Sequence, residues 1–323
     1  MTDLKTIRIG TRGSPLALTQ TRAVCAALES AHADVKTQIT IIKTSGDWTP
    51  ADGETRLSEA EGGKGLFAKE IEAAMLAGDI DAGVHSMKDM DSNLPAGLVI
   101  NHMMPREDAR DALLLSPALK EKLEQNPADP LAALPHGAII GTASVRRAAF
   151  LLNRRPDLKT VPLRGNVQTR IDKLATGQVD ATLLAMAGLN RLELSHHADI
   201  ILPPEILLPA AGQGAVGIEM REEDSWLADL FDAISCRQTL LRVKAERAAL
   251  KTLDGSCRSP IAAHATLENE KMHLNLAVAD MEGTHIFAEE KMALVKNVRD
   301  AETLGRECAE IIKSQIPPGF VST

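Results

Sequence analysis

The order strand, polar loop, helix recurs along this chain, and no other feature restricts its fold more. TIRIG reads as a strand, TRGS as a tight loop, and Pro15 as the first residue of a helix capped by Ser14. QITIIK is a second strand. After a Gly-rich loop, GLFAKEIEAAMLAG reads as a helix with Phe67, Ile71, Ala74 and Met75 on one face, ended by Gly78. DAGVHSMKDM and GLVINHMM add short strands, and GAIIGTASVRRAAFLL, KTVPLRGNVQTRIDKLATG and VDATLLAMAGLNRL repeat the strand, loop, helix order. Such alternation predicts α/β units with largely parallel sheets, arranged as two similar lobes. SPALKEKLEQNPADP and ILPPEILLPAAGQGAVG read as connections or crossovers between units rather than core elements. After about Ser235 the pattern changes to a helix, LLRVKAERAALKTL, then the alternating segments MHLNLAVAD and THIFAEEKMAL, then a terminal helix around DAETLGRECAEIIK. That change predicts a small α+β third domain.

Within this frame the segment GTASVRRAAFLL is anomalous. Thr142 and Ser144 are good helix N-caps, which puts Arg146 and Arg147 beside the positive end of the helix dipole. A negative partner belongs there, either a local carboxylate or a ligand. Basic residues recur at the other loop-to-helix junctions: Arg12 beside Ser14, Lys88 in HSMKD, Arg164 and Arg170 around LRGNVQTR, and Arg191 in AGLNR. In open α/β sheets these junctions line the ligand crevice, and helix N-termini and planar guanidinium groups both suit carboxylates. A small ligand bearing several carboxylates is the economical reading. A nucleic acid is not, because the chain carries a net charge of -8 and has only 2 Trp, 5 Phe and no Tyr with which to stack bases. No stretch approaches the roughly 20 apolar residues of a membrane span, and MTDLKTIRIG lacks the apolar core of a signal peptide. A cytoplasmic location without a membrane partner is expected.

Cys25, Cys236, Cys257 and Cys308 are far apart and form no CxxC, and no ligand set surrounds the adjacent His196 and His197, so no bound metal is expected. EGGKGLFAKE lacks the spacing of a phosphate loop and reads as a mobile Gly-rich loop bearing Lys64. In HSMKDMDSNLP, Asp89 is either a turn carboxylate or an acid and charge stabiliser, while a lone His85 reads as structural. LDGSCRSP sets Cys257 in a Gly/Ser loop with Arg258 adjacent and Arg247 upstream. Such neighbours favour a thiolate, yet no histidine partner is evident, so an inert thiol and a nucleophile both stand.

Taken in order, GTRGSPLAL, GGKGLFAKE, VHSMKD, GTASVRR, LRGNVQTR, LPAAGQGAVGIE and LDGSC resemble the motifs of the porphobilinogen deaminase (hydroxymethylbilane synthase) family, over nearly the whole chain. The resemblance implies two α/β lobes like those of periplasmic binding proteins, with a cleft between them, and a small α+β C-terminal domain. The implied division is 1–104 with 213–232, 105–212, and 233–323. It also implies a monomer that joins four porphobilinogen molecules head to tail into a linear tetrapyrrole, hydroxymethylbilane, with release of ammonia, in porphyrin and haem synthesis. By the same resemblance Cys257 carries a dipyrromethane cofactor covalently, and Asp89 is the catalytic carboxylate. Ser86, Lys88, Thr142, Ser144, Arg146, Arg147, Arg164 and Gly165 hold the cofactor. Arg12, Ser14, Lys64, Arg164, Arg170, Arg191 and Gln213 take the substrate.

The chain departs from the family pattern at Met90 and Asp91, where a short apolar residue and proline are commoner, at Ser45, where arginine is frequent, and at Arg258. Two rival readings are a two-lobed solute-binding or effector-sensing protein, which has no use for a Cys257 adduct, and a phosphate-binding transferase built on GGKG.

Overall fold

A computed structural model describes residues 4–47, 53–54, 67–121, 129–256, 259–317 and 319–320. In chain order the first elements are β1 (Lys5–Thr11), α1 (Pro15–Ala31), β2 (Val35–Ile41), α2 (Lys69–Leu76), β3 (Ala82–Ser86) and β4 (Leu98–Met103). There follow β5 (Asp111–Leu115), α3 (Pro117–Lys120), β6 (Ile139–Gly141), α4 (Val145–Arg154), β7 (Lys159–Val161), α5 (Val167–Ala175), β8 (Ala181–Ala185), α6 (Met186–Arg191) and β9 (Ile200–Leu202). The chain ends with β10 (Val216–Arg221), α7 (Ser225–Asp232), α8 (Arg237–Thr252), β11 (Ile261–Glu268), β12 (Lys271–Ala279), β13 (Ile286–Leu294) and α9 (Val298–Gln315).

These form two five-stranded sheets of matching design and one three-stranded sheet. The first has the order β2-β1-β3-β10-β4 and the second β7-β6-β8-β5-β9. In each, three strands pair in parallel and a fourth, β10 or β5, runs antiparallel to both of its neighbours. That antiparallel strand is the one that arrives from the other lobe. The chain crosses between β4 and β5 and returns between β9 and β10. The sheets are therefore mixed where the alternation predicted largely parallel ones, because a crossing strand enters from the opposite end of the sheet. ILPPEILLPAAGQGAVG is also more than a connection, since its two ends lie in β9 and β10.

The central lobe strands β3, β5, β8 and β10 are buried runs rather than alternating ones, as strands covered on both faces must be. Asp111–Leu115 and Ala181–Ala185 are buried at every position. Ile7, Ile9, Val84 and Ile218 pack against Val24 and Leu28 of α1 in the first lobe, and Leu113, Ile140 and Leu183 against Phe150 and Leu151 in the second. In the third unit α8 and α9 cover the antiparallel sheet β11-β12-β13, whose core includes Leu250, Leu274, Leu276 and Leu304.

Glu246 of α8 ties this unit to both crossings. It receives Arg106 from the outward crossing at 2.6 and 3.1 Å, the Gly212 N–H of the return at 2.7 Å, and the Ala265 N–H of β11 at 2.7 Å. Four donors satisfy a carboxylate that would otherwise be costly to bury. Among the described residues no helix is long and apolar enough to cross a membrane.

Candidate active site

The first wall of the site is built at the ends of β1 and β3. Ser14 caps α1, its hydroxyl accepting from the Ala17 N–H at 3.3 Å, and Pro15 fills the first helical position, where no N–H is needed. The loop before it aims Arg12 across the site, where the guanidinium lies 4.3 Å from the Phe67 ring centroid and donates to Asp47 at 2.7 and 3.0 Å. At the end of β3 the chain tightens into a 3-10 turn, Met87–Asp89. This turn replaces the last part of the strand expected from DAGVHSMKDM, and it puts Lys88 and Asp89 just past the C-terminal end of the central strand β3. Ser86 pairs with the Gln20 amide at 2.9 Å. A cavity is lined by Arg12, Ser14, Gln20, Phe67, Ser86 and Asp89, among others. Among the described residues the Asp89 carboxylate accepts no hydrogen bond, so both of its oxygens are available to a ligand.

The second wall comes from the other lobe. Ser144 caps α4 and accepts from the Arg147 N–H at 3.4 Å, while Thr142 accepts from the Ser144 N–H at 3.2 Å. Asn166 caps α5 in the same way, and before it Gly165 sits at φ 114°, a conformation that only glycine adopts without strain. Its carbonyl receives Arg170 Nε at 2.9 Å. Lys88, Asp89, Arg147, Arg164 and Arg170 feel one another across the cleft. Burial pushes Lys88 down to about 8; Asp89 and Asp111 act to raise it, and Arg147 and Arg170 to lower it further. Arg170 is pushed down to about 10 by burial and then by Arg147, with Asp89 opposing. Cations outnumber carboxylates here.

The negative partner that the α4 arginines require is present in the fold. Asp111, fully buried at the start of β5, accepts from Arg146 Nη2 and Arg147 Nη2, each at 2.7 Å, and from Gln213 Nε2 at 2.9 Å. Burial pushes its carboxyl up, but Arg147 and Arg146 outweigh this and hold it well below the usual carboxylate range. The arginines also donate to backbone, Arg147 to Leu183 at 2.8 Å and Arg146 to Leu208. Each keeps a buried Nε with no partner. Two arginines on one carboxylate leave a net positive charge, so Asp111 orients this pair without neutralising it.

Not every expected residue converges on the cleft. Arg191 reaches back to the Gly214 carbonyl at 2.8 Å on the return crossing, and Gln213 is consumed by Asp111 and the Ala109 carbonyl. Lys64, Cys257 and Arg258 lie outside the described residues. Gln20, Asp47 and Asp111 were not singled out in the sequence. Asp111 carried a signal in RDALLL, an acid opening a wholly apolar strand, where a buried carboxylate must have a cationic partner. Among the described residues no cluster of His, Cys, Asp and Glu is placed to hold a metal ion.

A two-lobed α/β protein with an unpaired carboxylate facing a surplus of buried cations is built to bind a small polyanion and stabilise positive charge on it. The chain belongs to the porphobilinogen deaminase family. Residues 7–229 match the family model described as porphobilinogen deaminase, dipyromethane cofactor binding domain, and residues 240–314 match its C-terminal domain. The porphobilinogen deaminase of Paracoccus denitrificans is 45% identical over 97% of this chain and 96% of that protein. The chloroplastic porphobilinogen deaminase of Pisum sativum is 41% identical over 98% of this chain and 84% of that protein. Among solved structures, a probable amino-acid transporter extracellular-binding protein from Bacillus subtilis superposes over 71% of this chain and 89% of its own, with 11% identity and a TM-score of 0.41.

Proposed function

We propose that this chain condenses four porphobilinogen molecules head to tail into hydroxymethylbilane, releasing ammonia, and that Asp89 carries the charge stabilisation. The supporting observation is the open carboxylate of Asp89 on its 3-10 turn beside Lys88, set against Arg147, Arg164 and Arg170. Each porphobilinogen brings an acetate and a propionate, so a growing chain adds two carboxylates per ring, and planar guanidinium groups suit them. When the aminomethyl C–N bond breaks, ammonia takes the electron pair and the pyrrole becomes a delocalised azafulvenium cation. Asp89 is the carboxylate placed to face that charge, and an arginine could not replace it.

The donors fit a dipyrromethane in this cleft. Among the described residues no carboxylate is bonded to Lys88, and Arg146 and Arg147 each hold a buried Nε without a partner. Lys88, Arg146, Arg147 and Arg164, with Ser86, Thr142, Ser144 and Gly165, would hold its carboxylates, and Cys257 is its point of attachment. When bound, it supplies the primer pyrrole from which the product grows. Arg12, Ser14, Lys64, Arg170, Arg191 and Gln213 serve the incoming substrate, Arg191 and Gln213 from behind through the return crossing and Asp111. The three units divide at 1–104 with 213–232, 105–212, and 233–323. The enzyme works as a cytoplasmic monomer with no nucleic-acid partner.

The test is intact mass spectrometry of the purified protein together with porphobilinogen turnover. A dipyrromethane mass on the parent protein, no adduct on Cys257→Ala, and ammonia release by the parent alone are expected. An adduct that persists in Cys257→Ala would overturn the attachment, and a parent protein that consumes no porphobilinogen would overturn the activity.

A further inference from the structure

Behind Asp89 lies a pair of residues to which the reaction above gives no task. His85 Nε2 is 3.0 Å from Glu219 Oε2, with the imidazole almost fully buried and the carboxylate entirely so. The strand register explains the contact. Glu219 on β10 stands opposite Gly83 on β3, and a Cβ at Gly83 would come within 2.8 Å of His85 Nε2. Glycine at 83 is what lets the imidazole fold back over the strand to reach Glu219. A nitrogen carrying its hydrogen and a carboxylate oxygen attract at 3.0 Å, whereas two lone pairs would repel, so the approach favours the hydrogen on Nε2 although it is not aligned as a hydrogen bond. Among the described residues neither Glu219 oxygen accepts a hydrogen bond, so the imidazole beside it is the nearest polar group offsetting its burial. Nε2 thus faces Glu219. Among the described residues Nδ1 takes no hydrogen bond, and His85 lines the same cavity as Asp89.

Two further charged groups face the pair. Glu72 of α2 is half-buried and is pushed up to about 7, by burial first and then by the charge of Glu219. Arg247 of α8 faces Glu219 and Asp91, and donates to the carbonyls of Met90 and Asp91, directly after Asp89. Of these groups Glu72 exchanges charge near neutrality, and it is partly open to solvent.

We propose that His85 is the proton acceptor of the coupling step and that Glu219 is its positioning residue. The inference rests on the porphobilinogen-condensing reading of the Asp89 cavity. Coupling forms a carbon–carbon bond between the azafulvenium methylene and the free α-carbon of the terminal pyrrole of the growing chain. The α C–H bond then breaks, its electron pair restores the aromatic ring, and the proton moves to His85 Nδ1. Ammonia has already left with the C–N pair, so the proton lost here balances the ammonium formed overall. Asp89 then has one task, facing the cation, and need not give up its charge to a proton. Glu72, partly exposed, returns the proton to solvent.

The test uses the cofactor-loaded enzyme with porphobilinogen deuterated at the free α-carbon. His85→Asn is expected to release ammonia in the first turnover at close to the parental rate, lower kcat by about 100-fold, in the range for loss of a positioned general base, and show a primary isotope effect that the parent lacks. Glu219→Leu fills a similar volume, and removing a buried charge in favour of an apolar group is often tolerated. It should show the same isotope effect with a smaller loss. A second readout is independent of activity: in 15N-histidine spectra of the neutral ring the parent holds the hydrogen on Nε2, and Glu219→Leu releases that preference. An unchanged kcat, or a lower kcat with no isotope effect in either variant, would overturn the proposal, as would an unaltered tautomer in Glu219→Leu. If His85→Asn fails to fold, Glu219→Leu decides alone. Failure of the underlying reading looks different, because then Asp89→Asn would release ammonia normally.

Discussion

Replacing Asp111 with asparagine removes the charge that orients Arg146 and Arg147 while keeping the shape. Each carboxylate oxygen is committed, Oδ2 to Arg146 and Oδ1 to Arg147 and Gln213. Whichever way the asparagine amide turns, its NH2 faces a guanidinium, so at least one charge-assisted bond becomes a contact between two donors. All three side chains are buried, so water cannot repair the loss. A charge-assisted hydrogen bond contributes about 1.5–3 kcal/mol, and breaking a buried ion pair from one side typically costs about 3–5 kcal/mol. The larger range applies here, because two cations lose their shared counter-charge. Urea unfolding followed by far-UV circular dichroism at pH 7 should show that loss, and intact mass should show less cofactor loading. The pH dependence has a definite sign. Because the folded value of Asp111 is depressed, its stabilisation is fully present above the unfolded value of about 4 and is lost as pH falls below it. The gap between parent and Asp111→Asn should therefore narrow in acid. A loss below about 1 kcal/mol at pH 7, ordinary for an exposed pair, would refute the reasoning.

Two further outcomes follow from buried ionisable groups. Burial lowers Lys88 to about 8, so its cation is lost as pH rises through that value, and the KM for porphobilinogen should rise there; Lys88→Arg should move the rise to higher pH, and a parental KM flat to pH 9.5 would count against Lys88 as a carboxylate ligand. The Cys308 thiol, pushed up to about 12 by burial and then by Glu289, should resist iodoacetamide in the native protein at pH 8 and react after unfolding; fast native labelling at Cys308 would contradict its burial on the inner face of α9.

The two-lobe plan was legible because each strand, loop, helix unit announces itself locally, through Ser14 and Pro15, through Ser144, or through the glycine after α2. The antiparallel strands were not, because β5 and β10 owe their direction to which lobe the chain comes from, and no local pattern encodes that. Within the site, Arg146 and Arg147 were conspicuous as cations at the wrong end of a helix. Their partner Asp111 lies 35 and 36 residues away in sequence, and only the sheet brings them together. Met90, a departure from the family pattern, turns out to be a packing residue, buried with Met87, Ile100 and Met103 under the turn that carries Asp89. His85 was read as structural because a lone histidine usually is. Its pairing with Glu219 depends on a cross-strand register, which a linear reading does not supply.

The central claim is that the negative charge of Asp89 drives the chemistry, and single-turnover ammonia release from porphobilinogen tests it most directly. The measurement compares the parent, Asp89→Asn, Asp89→Glu and the neighbouring control Asp91→Asn, using only protein whose mass confirms an assembled cofactor. Asparagine keeps the shape and a hydrogen-bonding tip but removes the charge. Release by Asp89→Asn should therefore fall by roughly 100-fold or more with much less effect on substrate binding, and Asp89→Glu should retain part of the rate. Asp91→Asn should lose far less than Asp89→Asn, because the Asp91 charge faces Arg247 rather than the reacting cation. Near-normal release by Asp89→Asn, or an equal loss in Asp91→Asn, would contradict the account.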